Sequence, residues 1–117
     1  MNLPHKAPLV FAQEVLGKEG DTVKVKCLFP QLPTLAMFIE AAAQSSAGFN
    51  EEGESAIGFL TMIQNIQKLA PLLCKTYFIT VTKENEVGPY RKFFFSAYCD
   101  ISKKEVVTGN FTLMITE

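Results

Sequence analysis

The sequence predicts an α+β fold in which one curved antiparallel sheet wraps around one long central helix. Two observations indicate this: residues 34–48 form an apolar run with helical composition, and segments with strand-like alternation lie on both sides of it. The chain lacks the alternating strand–helix rhythm that typifies parallel sheets. With 117 residues it is long enough for one hydrophobic core, so we expect a single domain over 1–117.

The central helix has clear start and stop signals. Pro33 interrupts the preceding segment, Thr34 is a suitable N-cap, and Gly48 stands where a left-handed C-cap would end the helix. Apolar residues occupy nearly every side of the run, which predicts a helix buried all round. Four small residues allow close approach of neighbouring backbone: Ala41, Ala42, Ala43 and Ala47.

The strands are predicted as a hairpin before the helix and four antiparallel strands after it. In the hairpin, residues 9–16 form the first strand, residues 17–21 the turn, and residues 22–29 a strand with one wet face. The later strands are expected at 55–66, 75–83, 90–98 and 105–116, with a turn over 85–89. Gly58 inside the first of these suggests a bulge or a close approach to the backbone.

Composition excludes several functions. A formal net charge of −1 argues against general nucleic-acid binding, and no apolar run is long enough to span a bilayer. The three cysteines, Cys27, Cys74 and Cys99, are far apart, and His5 is the only histidine. We therefore expect small apolar cysteines, no disulfide framework, no metal and no cofactor. Together with an N-terminus that lacks a signal-peptide pattern, this predicts a cytoplasmic protein.

Glu40 is the one charge within the apolar helical run. A carboxylate in such surroundings is costly unless it is paired, protonated or used. In the functional interpretation it acts as a general acid or base. In the structural interpretation it is a buried carboxylate satisfied by the backbone or by Gln44, which lies one helical turn later and could also orient it for catalysis.

Three motifs resemble one family in order and spacing over nearly the whole chain. They are Leu3-Pro-His-Lys-Ala-Pro8, then Phe29-Pro30 followed by Ile39-Glu-Ala-Ala-Ala-Gln44, and finally the strand at 105–115. Together they resemble the hotdog-fold 3-hydroxyacyl-(acyl-carrier-protein) dehydratases of the thioesterase/dehydratase superfamily. Gly58-Phe-Leu60 also resembles a dehydratase-like branch linked to aryl-polyene lipid synthesis.

The resemblance assigns roles but leaves the catalytic pair incomplete. It makes Glu40 the helix carboxylate of the site, whereas Leu28 stands where the family has its catalytic histidine, directly before Phe-Pro. The interval from Phe-Pro to Glu40 is also about two residues shorter than the family's usual one. His5 matches a different histidine of the family and is the one remaining candidate for a second catalytic group. The alternative interpretation is that His5 makes a structural hydrogen bond.

The resemblance also implies residues that bind substrate. The family's Pro-Gly at the helix start, which offers an amide to the thioester carbonyl, is replaced by Thr34 and Leu35, whose amides still point toward a group placed there. Gly58 and Phe59 are candidates for contact with the pantetheine arm and the acyl chain, and Gln44 for orientation of Glu40. For Gly58 and Phe59, sheet geometry and core packing are the alternative interpretations.

The family implies a homodimer or higher homo-oligomer, with an acyl thioester of coenzyme A or of acyl carrier protein bound at the interface. Two functional classes stay open. One is an enzyme, either dehydratase-like or a thioesterase, since a single carboxylate can activate water. The other is a non-catalytic acyl-binding protein that keeps the pocket without the chemistry. The missing histidine favours the second class, and Glu40 favours the first.

Overall fold

The computed structural model describes residues 11–46 and 57–116, which form six strands and one helix. In chain order these are β1 Ala12–Glu19, β2 Thr22–Leu28, α1 Leu35–Ser45, β3 Ile57–Lys68, β4 Thr76–Val87, β5 Tyr90–Cys99 and β6 Glu105–Thr116. The sheet order is β1-β2-β4-β5-β6-β3, and every neighbouring pair is antiparallel. The predicted hotdog fold, one antiparallel sheet with one central helix, is confirmed.

The two-residue alternation of β2 decides which side of the sheet faces the helix. Val23, Val25 and Cys27 are fully buried, whereas Lys24 and Lys26 between them are exposed. Successive side chains of a strand point to opposite faces, so the apolar set lies on the helix side and the lysines lie on the outer side. The predicted hairpin of β1 and β2 is also confirmed.

Two predicted turns are shorter in the structure than in the prediction. The segment expected as a turn from residue 17 continues as strand to Glu19, and Gly20, with φ of +58°, begins the reversal. In the same way β4 extends to Val87, and Gly88, also with φ of +58°, makes the turn. Pairing in both strands shifts register at an irregularity. The glycine and polar residues that were predicted to form turns therefore remain part of the strands.

The helix is shorter and less enclosed than predicted. It runs over Leu35–Ser45 and is capped by Ser46, while the predicted C-cap Gly48 lies outside the described residues. Thr34 is confirmed as the N-cap, because its Oγ1 accepts from the backbone N–H of Met37 at 3.3 Å.

Burial of the helix is one-sided within a single chain. Its buried residues are Phe38, Ala41, Ala42, Gln44 and Ser45. Ala36 is exposed, and Ile39, Glu40 and Ala43 are half-buried. The expectation of burial all round was therefore wrong for one chain, because α1 packs mainly against β1, β2, β4 and β6 on one side.

The cysteines also differ from expectation, since Cys74 and Cys99 form a disulfide. Antiparallel pairing of β4 with β5 sets Tyr77 opposite Cys99, which brings the Cα atoms of Cys74 and Cys99 to 6.2 Å despite 25 residues of separation. The cysteine pattern therefore no longer supports a reducing compartment. Cys27 is a free, buried thiol, as predicted.

Within the described parts of the chain, no helix is long and apolar enough to cross a membrane. The same residues contain no group of three or more histidine, cysteine, aspartate or glutamate side chains arranged to hold a metal ion.

Gly109 on β6 provides a test of the packing, because a methyl group there has no space. An added Cβ would collide with the Cδ1 of Ile66, would lie 3.0 Å from the Cε1 of Phe95, and would lie 3.4 Å from the Cα of Ile66. We expect Gly109→Ala to lower the free energy of unfolding by about 1–3 kcal/mol, as overpacking does in other cores.

The matched control is Gly17→Ala on β1, where the added Cβ meets nothing within 4 Å. Urea denaturation of both variants measures the difference. Equal midpoints for the two variants would contradict the described packing of Ile66 over Gly109.

Candidate functional site

Gln44 fixes the position of the candidate carboxylate. Its side chain is 1% exposed, and its Oε1 accepts from the backbone N–H groups of Phe11 at 2.8 Å and Ala12 at 3.2 Å. Since the amide oxygen must face these two donors, the Nε2 group faces the other way and donates to Glu40 Oε1 at 3.4 Å. The amide of Gln44 therefore links the start of β1 to Glu40.

Glu40 lies toward the side of α1 that the sheet leaves open. It is half-buried, as is Ala43 one turn later, and Ala36 one turn earlier is exposed. The residue is therefore partly accessible to solvent, and one of its carboxylate oxygens is held by Gln44. A partly desolvated, oriented carboxylate of this kind can accept or donate a proton at a bound substrate.

The beginning of α1 offers two further donors. Thr34 is exposed, and Leu35 is half-buried against the core. The Met37 amide is used by Thr34 Oγ1, and the Thr34 amide donates to Met37 Sδ at 3.4 Å. This capping leaves the amides of Leu35 and Ala36 as the first-turn groups that could bind a carbonyl oxygen.

Gly58 and Phe59 are on a different element from Glu40. Both lie in β3, the strand at the sheet edge, and they pair with Ile115 and Met114 of the neighbouring strand β6. Phe59 is 52% exposed, and β3 is not among the strands against which α1 mainly packs. One chain thus divides the predicted residues between the helix, with Thr34, Leu35, Glu40 and Gln44, and the edge strand.

Leu28 and His5 leave the second catalytic position open. Leu28 is the last residue of β2 and is exposed, whereas its neighbours Cys27 and Phe29 are buried. Alternation therefore puts its apolar side chain on the face away from α1. His5 lies outside the described residues.

The sequence did not predict that Gln44 also binds the backbone of Phe11 and Ala12. The spacing of four residues predicted its contact with Glu40, and the structure has that hydrogen bond. Nothing in the local pattern indicated that the same amide binds Phe11 and Ala12, which are more than 30 residues away. A polar residue at a helix position otherwise surrounded by apolar ones was the available signal, since such a group needs partners when buried.

No protein-family profile and no curated protein matches the chain. Solved structures do match it. The dehydratase heterocomplex ApeI:P from Xenorhabdus doucetiae has a TM-score of 0.77 at 19% identity, covering 98% of this chain and 88% of that one. A thioesterase from Haemophilus influenzae has a TM-score of 0.63 at 14% identity, covering 89% and 78%.

A Gln→Ala mutant of a thioesterase from Staphylococcus aureus has a TM-score of 0.66 at 10% identity, covering 89% of this chain and 93% of that one. At these identities the likeness shows that the three proteins share the fold of this chain.

We expect Gln44→Leu to destabilise the chain by about 2–4 kcal/mol. The substitution keeps a similar side-chain volume but leaves the buried amides of Phe11 and Ala12 without their acceptor, and each such loss costs about 1–3 kcal/mol. Chemical denaturation measures the change.

Glu40→Gln is the matched control, because it leaves Gln44 and its two bonds to Phe11 and Ala12 in place and still offers an amide oxygen to the Gln44 Nε2 group. If Gln44→Leu were as stable as the parent, the anchoring of β1 by this side chain would be wrong.

Proposed function

We propose that this chain is an acyl-thioester-handling hotdog protein of the dehydratase-like kind, with Glu40 as its acid–base group. The observation that carries the proposal is the placement of Glu40 on the open side of α1, with one oxygen held by the buried amide of Gln44. The fold it shares with the ApeI:P dehydratase heterocomplex supports this choice. The acyl carrier is coenzyme A or an acyl carrier protein.

Dehydration of a 3-hydroxyacyl group requires two proton transfers: removal of a proton beside the carbonyl, and protonation of the hydroxyl that leaves. Glu40 can perform one of them. Leu28 cannot perform the other, because its side chain has no titratable group. The second group is therefore His5 or a residue of another chain, and we expect dehydratase turnover by the chain alone to be weak or absent.

An assembly through β3 would unite the divided site. β3 is an edge strand whose only charged residue is its last, Lys68. Its exposed apolar side chains are Phe59, Leu60, Met62 and Ile63. The opposite edge, β1, carries Glu14, Lys18 and Glu19 instead, and charges of this kind discourage strand pairing.

Pairing of β3 with the same strand of a second copy would extend the sheet across a two-fold axis. The residues of β3 and the open side of α1 would then belong to one interface. The homodimer is the first candidate. A heterodimer with a chain that supplies the missing histidine is the second, and the heterocomplex among the similar structures favours it.

Thioester hydrolysis is the second candidate activity. It requires one carboxylate that activates water or attacks the carbonyl directly, so the absence of a titratable group at position 28 is no obstacle. The thioesterases that share the fold favour this alternative. A protein that binds acyl groups without turnover is the outcome if neither activity is found.

We expect Glu40→Gln to lower any thioester activity by about 10²–10⁴-fold, because the amide cannot transfer the proton while its shape is retained. The assays compare the parent and the variant on 3-hydroxyacyl and saturated acyl thioesters of coenzyme A and acyl carrier protein. Mass spectrometry of the purified protein identifies co-purifying acyl ligands.

Glu14→Gln on the exposed side of β1 is the matched control and should leave activity unchanged. His5→Ala tests the remaining histidine. Turnover that is unchanged in Glu40→Gln would contradict the assignment of Glu40 as the acid–base group. Turnover that depends on His5 would identify His5 as the group for the second proton transfer. A bound acyl ligand without turnover would identify the non-catalytic class.

We expect the parent to be a dimer at micromolar concentration and Met62→Lys to weaken the dimer at least about tenfold. Met62 is 50% exposed near the middle of β3, so lysine is tolerated in the monomer, but two copies would face each other near the axis.

Leu16→Lys on the other edge strand is the matched control, since Leu16 is 44% exposed and lies on β1. Light scattering during size-exclusion chromatography measures the mass. A monomeric parent, or equal effects of the two lysines, would exclude pairing through β3.

A further inference from the structure

The Cys74–Cys99 disulfide lies at the open end of the β4–β5 hairpin. Cys99 ends β5, and Cys74 is in the connection 69–75, which leads from β3 into β4. Cys99 is 4% exposed and Cys74 is half-buried, so Cys74 is the more accessible residue of the pair. The bond therefore ties a connection to the sheet at a place that solvent reaches.

The tethered connection is bonded to several elements. Its first residue, Leu69, donates its N–H to Val106 O at 2.7 Å, and Phe29 donates its N–H to Lys75 O at 2.8 Å. Near the end of the connection, the N–H of Cys74 donates to the hydroxyl oxygen of Tyr77 at 3.0 Å. The half of the disulfide that lies in the connection is thus directly hydrogen-bonded to a residue of the core.

Tyr77 carries this contact to the helix. Its fully buried ring packs edge-on against Phe38 of α1, with centroids 4.8 Å apart at 81°, and against Phe29 with centroids 5.7 Å apart. Burial raises the pKa of the Tyr77 phenol, and the hydrogen bond from Cys74 lowers it. Phe38 precedes Glu40 by two residues on the helix.

We propose that Cys74–Cys99 is a reversible thiol–disulfide site that controls how firmly the N-terminal half of α1 is held. A dithiol reductant attacks one sulfur to form a mixed disulfide, and its second thiol then releases the protein. Two electrons and two protons pass to the protein, which gains two thiols, while the reductant becomes a disulfide. Reduction frees the connection 69–75. The N–H of Cys74 is then no longer held in place to donate to the hydroxyl oxygen of Tyr77.

Cys27 does not interfere with this exchange. It lies opposite Tyr77, and Tyr77 lies opposite Cys99, so one whole strand separates the free thiol from the disulfide. Its side chain is fully buried, with its sulfur 3.5 Å from the Oγ of Ser45. Burial raises the pKa of the Cys27 thiol to about 12, which keeps it protonated and unreactive near neutral pH.

Thiol counting tests whether the site exists. The protein is treated with oxidised glutathione or with dithiothreitol, denatured, alkylated with N-ethylmaleimide and weighed by mass spectrometry. One adduct, on Cys27, is expected after oxidation and three after reduction. Three adducts after oxidation would overturn the proposal.

Hydrogen exchange of the folded protein tests whether the disulfide affects the N-terminal half of α1, and it does so without an activity assay. Reduction should speed exchange about tenfold in both the connection 69–75 and the first half of α1, and should lower the melting temperature by roughly 10 °C. The Cys74→Ser/Cys99→Ser variant should have the exchange rates and melting temperature of the reduced parent, and dithiothreitol should not change them. Cys27→Ala, which keeps the disulfide, should respond as the parent does.

Tyr77→Phe separates the coupling from the tether, because it removes only the hydroxyl that Cys74 contacts. In this variant, reduction should still speed exchange in the connection, whereas the effect on α1 should largely disappear. If reduction of the parent leaves exchange in α1 unchanged, the disulfide is a local staple and the proposed control is wrong. An undiminished response of α1 in Tyr77→Phe also overturns it.

Discussion

The buried amide of Gln44 is the interaction on which the arrangement of the candidate site depends. A buried primary amide needs partners for both its oxygen and its nitrogen. Here the oxygen accepts from the backbone N–H groups of Phe11, just before β1, and Ala12, its first residue, and the nitrogen donates to Glu40. The sheet edge, the helix and the carboxylate are therefore positioned by one side chain. Loss of the hydrogen bonds at either end would remove contacts that hold this buried amide in place.

The one-sided burial of α1 leaves part of the candidate site uncovered by the sheet within one chain. A helix with this many apolar residues is stable when both sides are covered, yet the sheet reaches only the side of Phe38, Ala41 and Ala42. The half-buried side carries Glu40, and the edge strand β3 carries Phe59. Exposed apolar surface on two elements of the same molecule is typical of an interface and supports the proposed assembly through β3.

Patterns of short range predicted the fold well, and contacts of long range were where prediction failed. The last strand was predicted at 105–116 and has these bounds in the structure, although Gly109 and Asn110, residue types common in turns, lie within it. Thr34 was correctly predicted as the N-cap from its neighbours alone. The turns were predicted too long because the register shifts in β1 and β4 let glycine and polar residues remain paired in the strands.

The disulfide shows the same limit. Cys74 and Cys99 meet only because of the register of β4 with β5, which spacing along the chain does not reveal. In the site, the contact of Gln44 with Glu40 followed from helical geometry, whereas its hold on Phe11 and Ala12 did not. Each of these misses concerns residues that strand register or helix packing, rather than the local sequence, brings together.

Two anchors on opposite sides of Glu40 determine where the carboxylate points. On the N-terminal side, Phe38 packs against Tyr77 below it, and on the C-terminal side Gln44 is bonded to β1. A helix held at one point can still rotate about its axis, but one held at two points six residues apart cannot rotate without breaking a contact. A residue change at either anchor, or a change in the connection that supports Tyr77, therefore acts on Glu40 through the orientation of α1. The orientation of Glu40 thus depends on packing beneath the helix as well as on its own hydrogen bond.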